Sequence, residues 1–100
     1  MKYIITESSR HKLVNLYLDS LKMKVESDNL EIFVHDATND EYNGMFIFDY
    51  SEEELAIDPF IISMVSGMFN MDRGQAMEGI SMWFENKFEV AVLSTREWDW

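Results

Sequence analysis

Cysteine is absent from these 100 residues, which removes disulfides, thiolate nucleophiles and zinc–thiolate sites together and suits a reducing compartment. Proline occurs once and glycine four times, too few for a linker or a phosphate-cradling loop, and no G-x-S-x-G elbow is present. No apolar run approaches the roughly 20 residues of a membrane span. The opening MKYIITESS offers one lysine and then three apolar residues, short of a signal-peptide core. These absences predict a cytoplasmic chain with no membrane partner. One domain is expected at this length.

Positive charge is the other shortage. Eight Lys and Arg stand against 19 Asp and Glu, a net charge of -11. The imbalance is segregated: residues 1–24 hold five bases against two acids, whereas 25–72 hold 12 acids and neither Lys nor Arg. Such a field repels phosphates, so direct nucleic-acid binding is not expected. The stretch from Glu26 to Asp58 is expected to form one continuous negative surface, with the Glu52-Glu53-Glu54 run exposed.

Apolar residues make up 47% of the chain, enough for a core without staples. Tyr3-Ile4-Ile5 centres a short candidate strand, and Ser8 or Ser9 can cap a helix reaching about Lys24. Val14, Tyr17, Leu18, Leu21 and Val25 share one arc of that helix. Residues 30–36 (LEIFVHD) and 45–50 (MFIFDY) read as strands, and Asn43-Gly44 between them signals a hairpin. Asp58-Pro59 starts a helix whose sequence FIISMVSGMFNM bears no charge, so it is either the buried centre or faces a partner on one flank. Asp72 and Gln75 form a capping box for a helix to about Lys87, with Ala76, Met77, Ile80, Trp83 and Phe84 as its stripe. FEVAVLST (88–95) alternates as a strand. If it continues, Phe88, Val90, Val92, Trp98 and Trp100 share the core face. The predicted class is α+β, with order β-α-β-β-α-α-β and helices on one face of a small antiparallel or mixed sheet.

Catalytic patterns are weak. DATNDEYNG (36–44) clusters oxygens, but Thr38, Glu41 and Ile47 occupy the third, sixth and twelfth places of an EF-hand register, where that loop requires Asp or Asn, Gly and Glu. Glu85-x-Lys87 has the spacing of one nuclease class, yet falls at a helix end without a placed aspartate, and reads as helix-surface charge. His11 and His35 sit on separate elements without companions. The two helices 59–71 and 73–87 have helix-turn-helix spacing, but Glu78 and Glu85 oppose DNA on the second. Eight methionines fit core gaps first and an adaptable surface second.

MKYIITES, the basic amphipathic helix after it, the hairpin and the late W-F-x-x-K-F helix-to-strand unit resemble small uncharacterised proteins of marine tailed bacteriophages. The resemblance implies a viral origin and a host-cytoplasm setting, and transfers no residue role. Together these readings predict a non-catalytic, cofactor-free interaction protein that presents Asp40, Glu41, Glu52, Glu53, Glu54, Trp98 and Trp100 to a basic protein surface. A homo-oligomeric assembly protein and a small metal-dependent enzyme using Asp36, Asp40, Glu41 or the triple-glutamate run are the alternatives.

Overall fold

A computed structural model describes residues 7–37 and 44–98. The candidate strand at 2–6 and the loop carrying Asp40 and Glu41 lie outside the described residues. Helix α1 spans Glu7–Ser20, followed by strands β1 (Met23–Ser27), β2 (Glu31–Asp36), β3 (Gly44–Asp49) and β4 (Glu54–Ile57), helices α2 (Pro59–Phe69) and α3 (Arg73–Phe88), and strand β5 (Ser94–Glu97). The strands lie side by side in sequence order. The first four form an antiparallel meander, and β5 returns parallel to β4. That last pairing requires a long crossover, which α2 and α3 supply.

The α+β class and the one-sided helix layer agree with the sequence reading. All three helices contribute to one core, through Val14 and Leu18, Ile61, Ile62 and Val65, and Ala76, Ile80, Trp83 and Phe84. They bury the sheet face made by Ile32, Val34, Phe46, Phe48, Leu55 and Ile57. Trp83 also donates its indole N–H to Asp19 Oδ1 at 2.9 Å, which satisfies the one polar atom its ring would otherwise bury. Both expected helix starts are present. Asp58 Oδ1 accepts from Phe60 N with Pro59 in the first turn, and Asp72 and Gln75 exchange both bonds of the capping box.

Three expectations need correction. Helix α1 stops at Ser20 and not near Lys24, because Met23–Ser27 pairs with the edge of β2. The pairing satisfies the backbone groups along that edge of β2, which a continued helix would leave to water. Asp28 makes the reversal, its Oδ1 accepting from Leu30 N at 2.7 Å and Glu31 N at 2.9 Å.

Strand β4 occupies the end of the triple-glutamate segment, where no strand was expected. It is only four residues long, and its place between β3 and β5 imposes the conformation more than its composition does.

The expected strand from Phe88 is instead the last turn of α3 followed by an irregular connection. Glu89 ends the helix in the left-handed region at φ 54. Phe88 stacks on Phe84 at 4.4 Å, and Val90 and Val92 pack half-buried against the core. Glu85 anchors the connection: its carbonyl accepts from Val90 N and its carboxylate from Val92 N at 3.1 Å. That gives Glu85 a structural explanation, while Lys87 is an exposed base in the last helical turn.

Candidate functional site: the acidic end of the sheet

Three connections meet at one end of the sheet. The β1–β2 and β3–β4 turns are neighbours, joined by Tyr50 N donating to Leu30 O at 3.1 Å. The α3–β5 connection reaches the same end, where Leu93 N donates to Glu53 O at 2.8 Å. Each turn is shaped by an aspartate. Asp28 caps the first, and Asp49 Oδ1 shapes the second by accepting from Ser51 Oγ at 2.7 Å and Ser51 N at 2.8 Å. The Leu30 and Glu31 amides hold the Asp28 carboxyl below its ordinary value, the Leu30 amide contributing most. The Ser51 hydroxyl, then the Ser51 amide, does the same for Asp49.

This end gathers Asp28, Glu31, Asp49, Glu52 and Glu53, and segments 28–31, 49–53 and 89–93 contain no Lys or Arg. Three side chains with apolar surface are exposed at this end, Tyr50 while also meeting Phe48 edge-on. Leu30 is 74% exposed, Leu93 75% and Tyr50 42%. Beside them, on the sheet face away from the helices, Glu26, Asp28 and Glu31 rim a hollow of about 270 Å³ floored by Phe33 and Ile47. An ammonium or guanidinium group with a short apolar stem matches such a hollow in charge and in lining.

The predicted site residues are placed unevenly. Glu52 is exposed, as expected of the run. Glu53 is half-buried in the left-handed region at φ 49, with its carbonyl engaged by the β5 connection. Glu54 is half-buried in β4, where its carboxylate accepts from Arg96 Nε at 2.6 Å. The triple-glutamate run is therefore not three free surface carboxylates. Nor is the Glu26–Asp58 stretch one continuous surface. Asp36 and Asp58 lie at the opposite end of the sheet, beside Lys22 and Met45 respectively, as the bonds Ala37 N to Lys22 O and Asp58 N to Met45 O place them.

Trp98 is half-buried, and its ring meets Phe33 edge-on at 5.7 Å. Arg96 pairs with Ala56, so Arg96 and Trp98, two residues apart, belong to the face turned away from the helices. This corrects the expectation that Trp98 shares the core face. Asp40, Glu41 and Trp100 lie outside the described residues.

Leu30, Tyr50, Leu93, Asp28 and Asp49 were not singled out by sequence reasoning. Asp28-Asn29 and Asp49-Tyr50-Ser51 are turn signals in hindsight, but nothing local says that two turns and a helix exit share one end of a sheet. Among the described residues no group of three or more His, Asp or Glu could hold a metal ion, and no helix is long and apolar enough to cross a membrane. Fold and site together define an acidic α+β domain with an apolar-tipped, carboxylate-rich end. No family model, curated protein or solved structure matches the chain.

Proposed function

We propose that the protein is a non-catalytic interaction module that binds a basic protein surface through the acidic end of its sheet. The observation that carries this reading is the convergence of five carboxylates with exposed Leu30, Tyr50 and Leu93 on segments free of Lys and Arg. Charge steers such an encounter, and the apolar tips supply the desolvated centre that charges alone lack. The hollow rimmed by Glu26, Asp28 and Glu31 receives a Lys or Arg side chain of the partner. Trp98 supports its floor by packing on Phe33. In the setting that the phage resemblance implies, the partner is a host protein whose basic site otherwise meets nucleic acid.

Affinity capture from a host lysate tests this, with elution along a salt gradient. The partner should elute between low and physiological salt, because exposed charges are screened over roughly 8–10 Å. The double variant Glu31→Lys/Glu52→Lys should lose capture while keeping its fold. Salt-independent retention, or full capture by that variant, overturns the reading.

A second reading, self-association, draws on a different surface. The charge-free helix α2 leaves Phe60 68% and Met68 52% exposed along one line, and a Cβ at Gly67 would meet nothing within 4 Å. Two copies of a -11 chain can approach there without opposing like charges. Sedimentation at rising concentration decides it, and added salt should tighten this contact while it loosens the first.

A further inference from the structure

At the sheet end opposite the acidic turns, a cavity of about 370 Å³ opens between the C-terminal part of α1 and the N-terminus of α2. Its walls are Tyr17 from α1, Leu21 from the α1–β1 connection, and Phe60 and Ile61 from α2, and two carboxylates, Asp36 and Asp58, line the same space. No Lys, Arg or His lines it among the described residues. The size lies in the lower range of small-ligand sites. It equals about a dozen water volumes of ~30 Å³ each, room for a ligand of about ten non-hydrogen atoms.

We propose that this cavity binds a small primary ammonium ligand carrying an aromatic or branched apolar stem. Asp58 supplies the carboxylate that anchors the ammonium, and Tyr17 and Phe60 supply aromatic lining for the stem. Asp58 is suited to that task. Its Oδ1 caps α2 by accepting from Phe60 N at 3.1 Å, and no other hydrogen bond or ion pair of its carboxylate is present among the described residues, so the second oxygen can accept from the ligand. Tyr17 reports a partly dry wall, since burial raises its phenol above the ordinary value, and a drier surrounding strengthens a charge-assisted bond. This site is separate from the acidic end and does not depend on a protein partner there.

The test is a methyl and amide NMR titration of the whole chain with three matched probes: 2-phenylethylammonium, 2-phenylethanol and 3-phenylpropionate. The ammonium should give saturable shifts at Leu21 and Ile61 and bind at least about tenfold more tightly than the alcohol, the factor that one charge-assisted hydrogen bond supplies. The carboxylate should not saturate. Asp58→Asn keeps a good N-cap, so it should retain the melting temperature yet reduce the ammonium preference to threefold or less. Leu21→Trp, which fills the cavity from the α1–β1 connection, should abolish binding of ammonium and alcohol alike. Equal affinity for the alcohol, no saturation at Leu21 and Ile61, or an unchanged preference in Asp58→Asn overturns the proposal. So does an ammonium midpoint at Leu30 and Leu93 equal to that at Ile61, which would mean unspecific counter-ion attraction. Glu31→Lys/Glu52→Lys should bind the ammonium as the unaltered chain does, which separates failure of this site from failure of the acidic end.

Discussion

The two faces of the sheet are buried by different means. On one face, Val34, Phe46, Phe48, Leu55 and Ile57 are at most 1% exposed beneath three helices. On the other, no helix packs among the described residues, yet Ala56 is 1% and Phe33 9% exposed. They lie outside the core cluster. Local devices cover that face: the Trp98 ring against Phe33, the Phe33–His35 stack at 5.4 Å, and Arg96 held over β4 by Glu54. One face is built from interlocking layers and the other from single side chains tied to strand ends. The first sets the stability of the domain. The second is thin enough to change without unfolding it.

The largest effects should therefore come from the helix face. Phe46 is fully buried and packs on both Trp83 and Phe84, so Phe46→Ala should cost about 3–5 kcal/mol, a large share of the 5–15 kcal/mol typical of a domain. Val65→Asp should be as severe, since it places a carboxylate among apolar side chains at a position 0% exposed. Urea denaturation measures both. Met68→Asp, three residues along the same uncharged helix, lies on the outward line and should shift stability by no more than ~0.5 kcal/mol. The contrast within α2 sharpens the comparison, and equal losses at positions 65 and 68 would break it.

That contrast was only half legible in the sequence. The 3.6-residue stripe of α3 and its capping box read directly, because a long periodic helix with a cap on its own residues needs no tertiary information. In α2 nearly every position is apolar, so periodicity could not choose the inner flank. Strand β1 was hidden because Leu18, Leu21 and Val25 fit a helical arc as well as Met23 and Val25 fit a strand, and five residues cannot separate the two periods. Counting in twos from Phe88 puts Trp98 on the wrong face. The intervening residues 89–93 are not a strand, so parity is lost before β5 begins. For the site, charge segregation was visible, but its division between two ends of the sheet depends on turns that only the assembled meander brings together.

Trp98→Ala probes the thin face and should cost about 1–2 kcal/mol, the loss of a half-buried ring and one edge-on contact, well below Phe46→Ala. In a Trp100→Phe background, acrylamide should quench Trp98 at an intermediate rate, and Trp83, 4% exposed, hardly at all. Quenching of Trp98 as fast as free tryptophan would mean that the ring does not cover Phe33 in solution. Protection equal to that of Trp83 would mean that the open face is as thickly covered as the other.

The smallest effect concerns the turns at the acidic end and depends on pH. Asp28 and Asp49 both titrate below the ordinary 3.8 of an aspartate, held there by the Leu30 and Glu31 amides and by the Ser51 hydroxyl and amide. A depressed folded-state value means that the unfolded chain takes up protons first as pH falls. The stabilisation is therefore fully present above the ordinary, unfolded value and is lost as pH drops through the folded values. Asp28 is exposed and Asp49 half-buried at a strand end, so loss of these caps should loosen the turns without unfolding the sheet. Side-chain carboxyl shifts followed by NMR from pH 6 to 2 should show Asp28 and Asp49 protonating below the ordinary aspartate value, and the Leu30, Glu31 and Ser51 amides moving with the same midpoints. Asp28→Asn should abolish the low-pH transition at Leu30 and leave that at Ser51 in place, because the two turns are capped independently. A shared midpoint that vanishes from both turns in this variant would show the acidic end to be one cooperative unit, and the thin face would then be more rigid than its covering side chains imply.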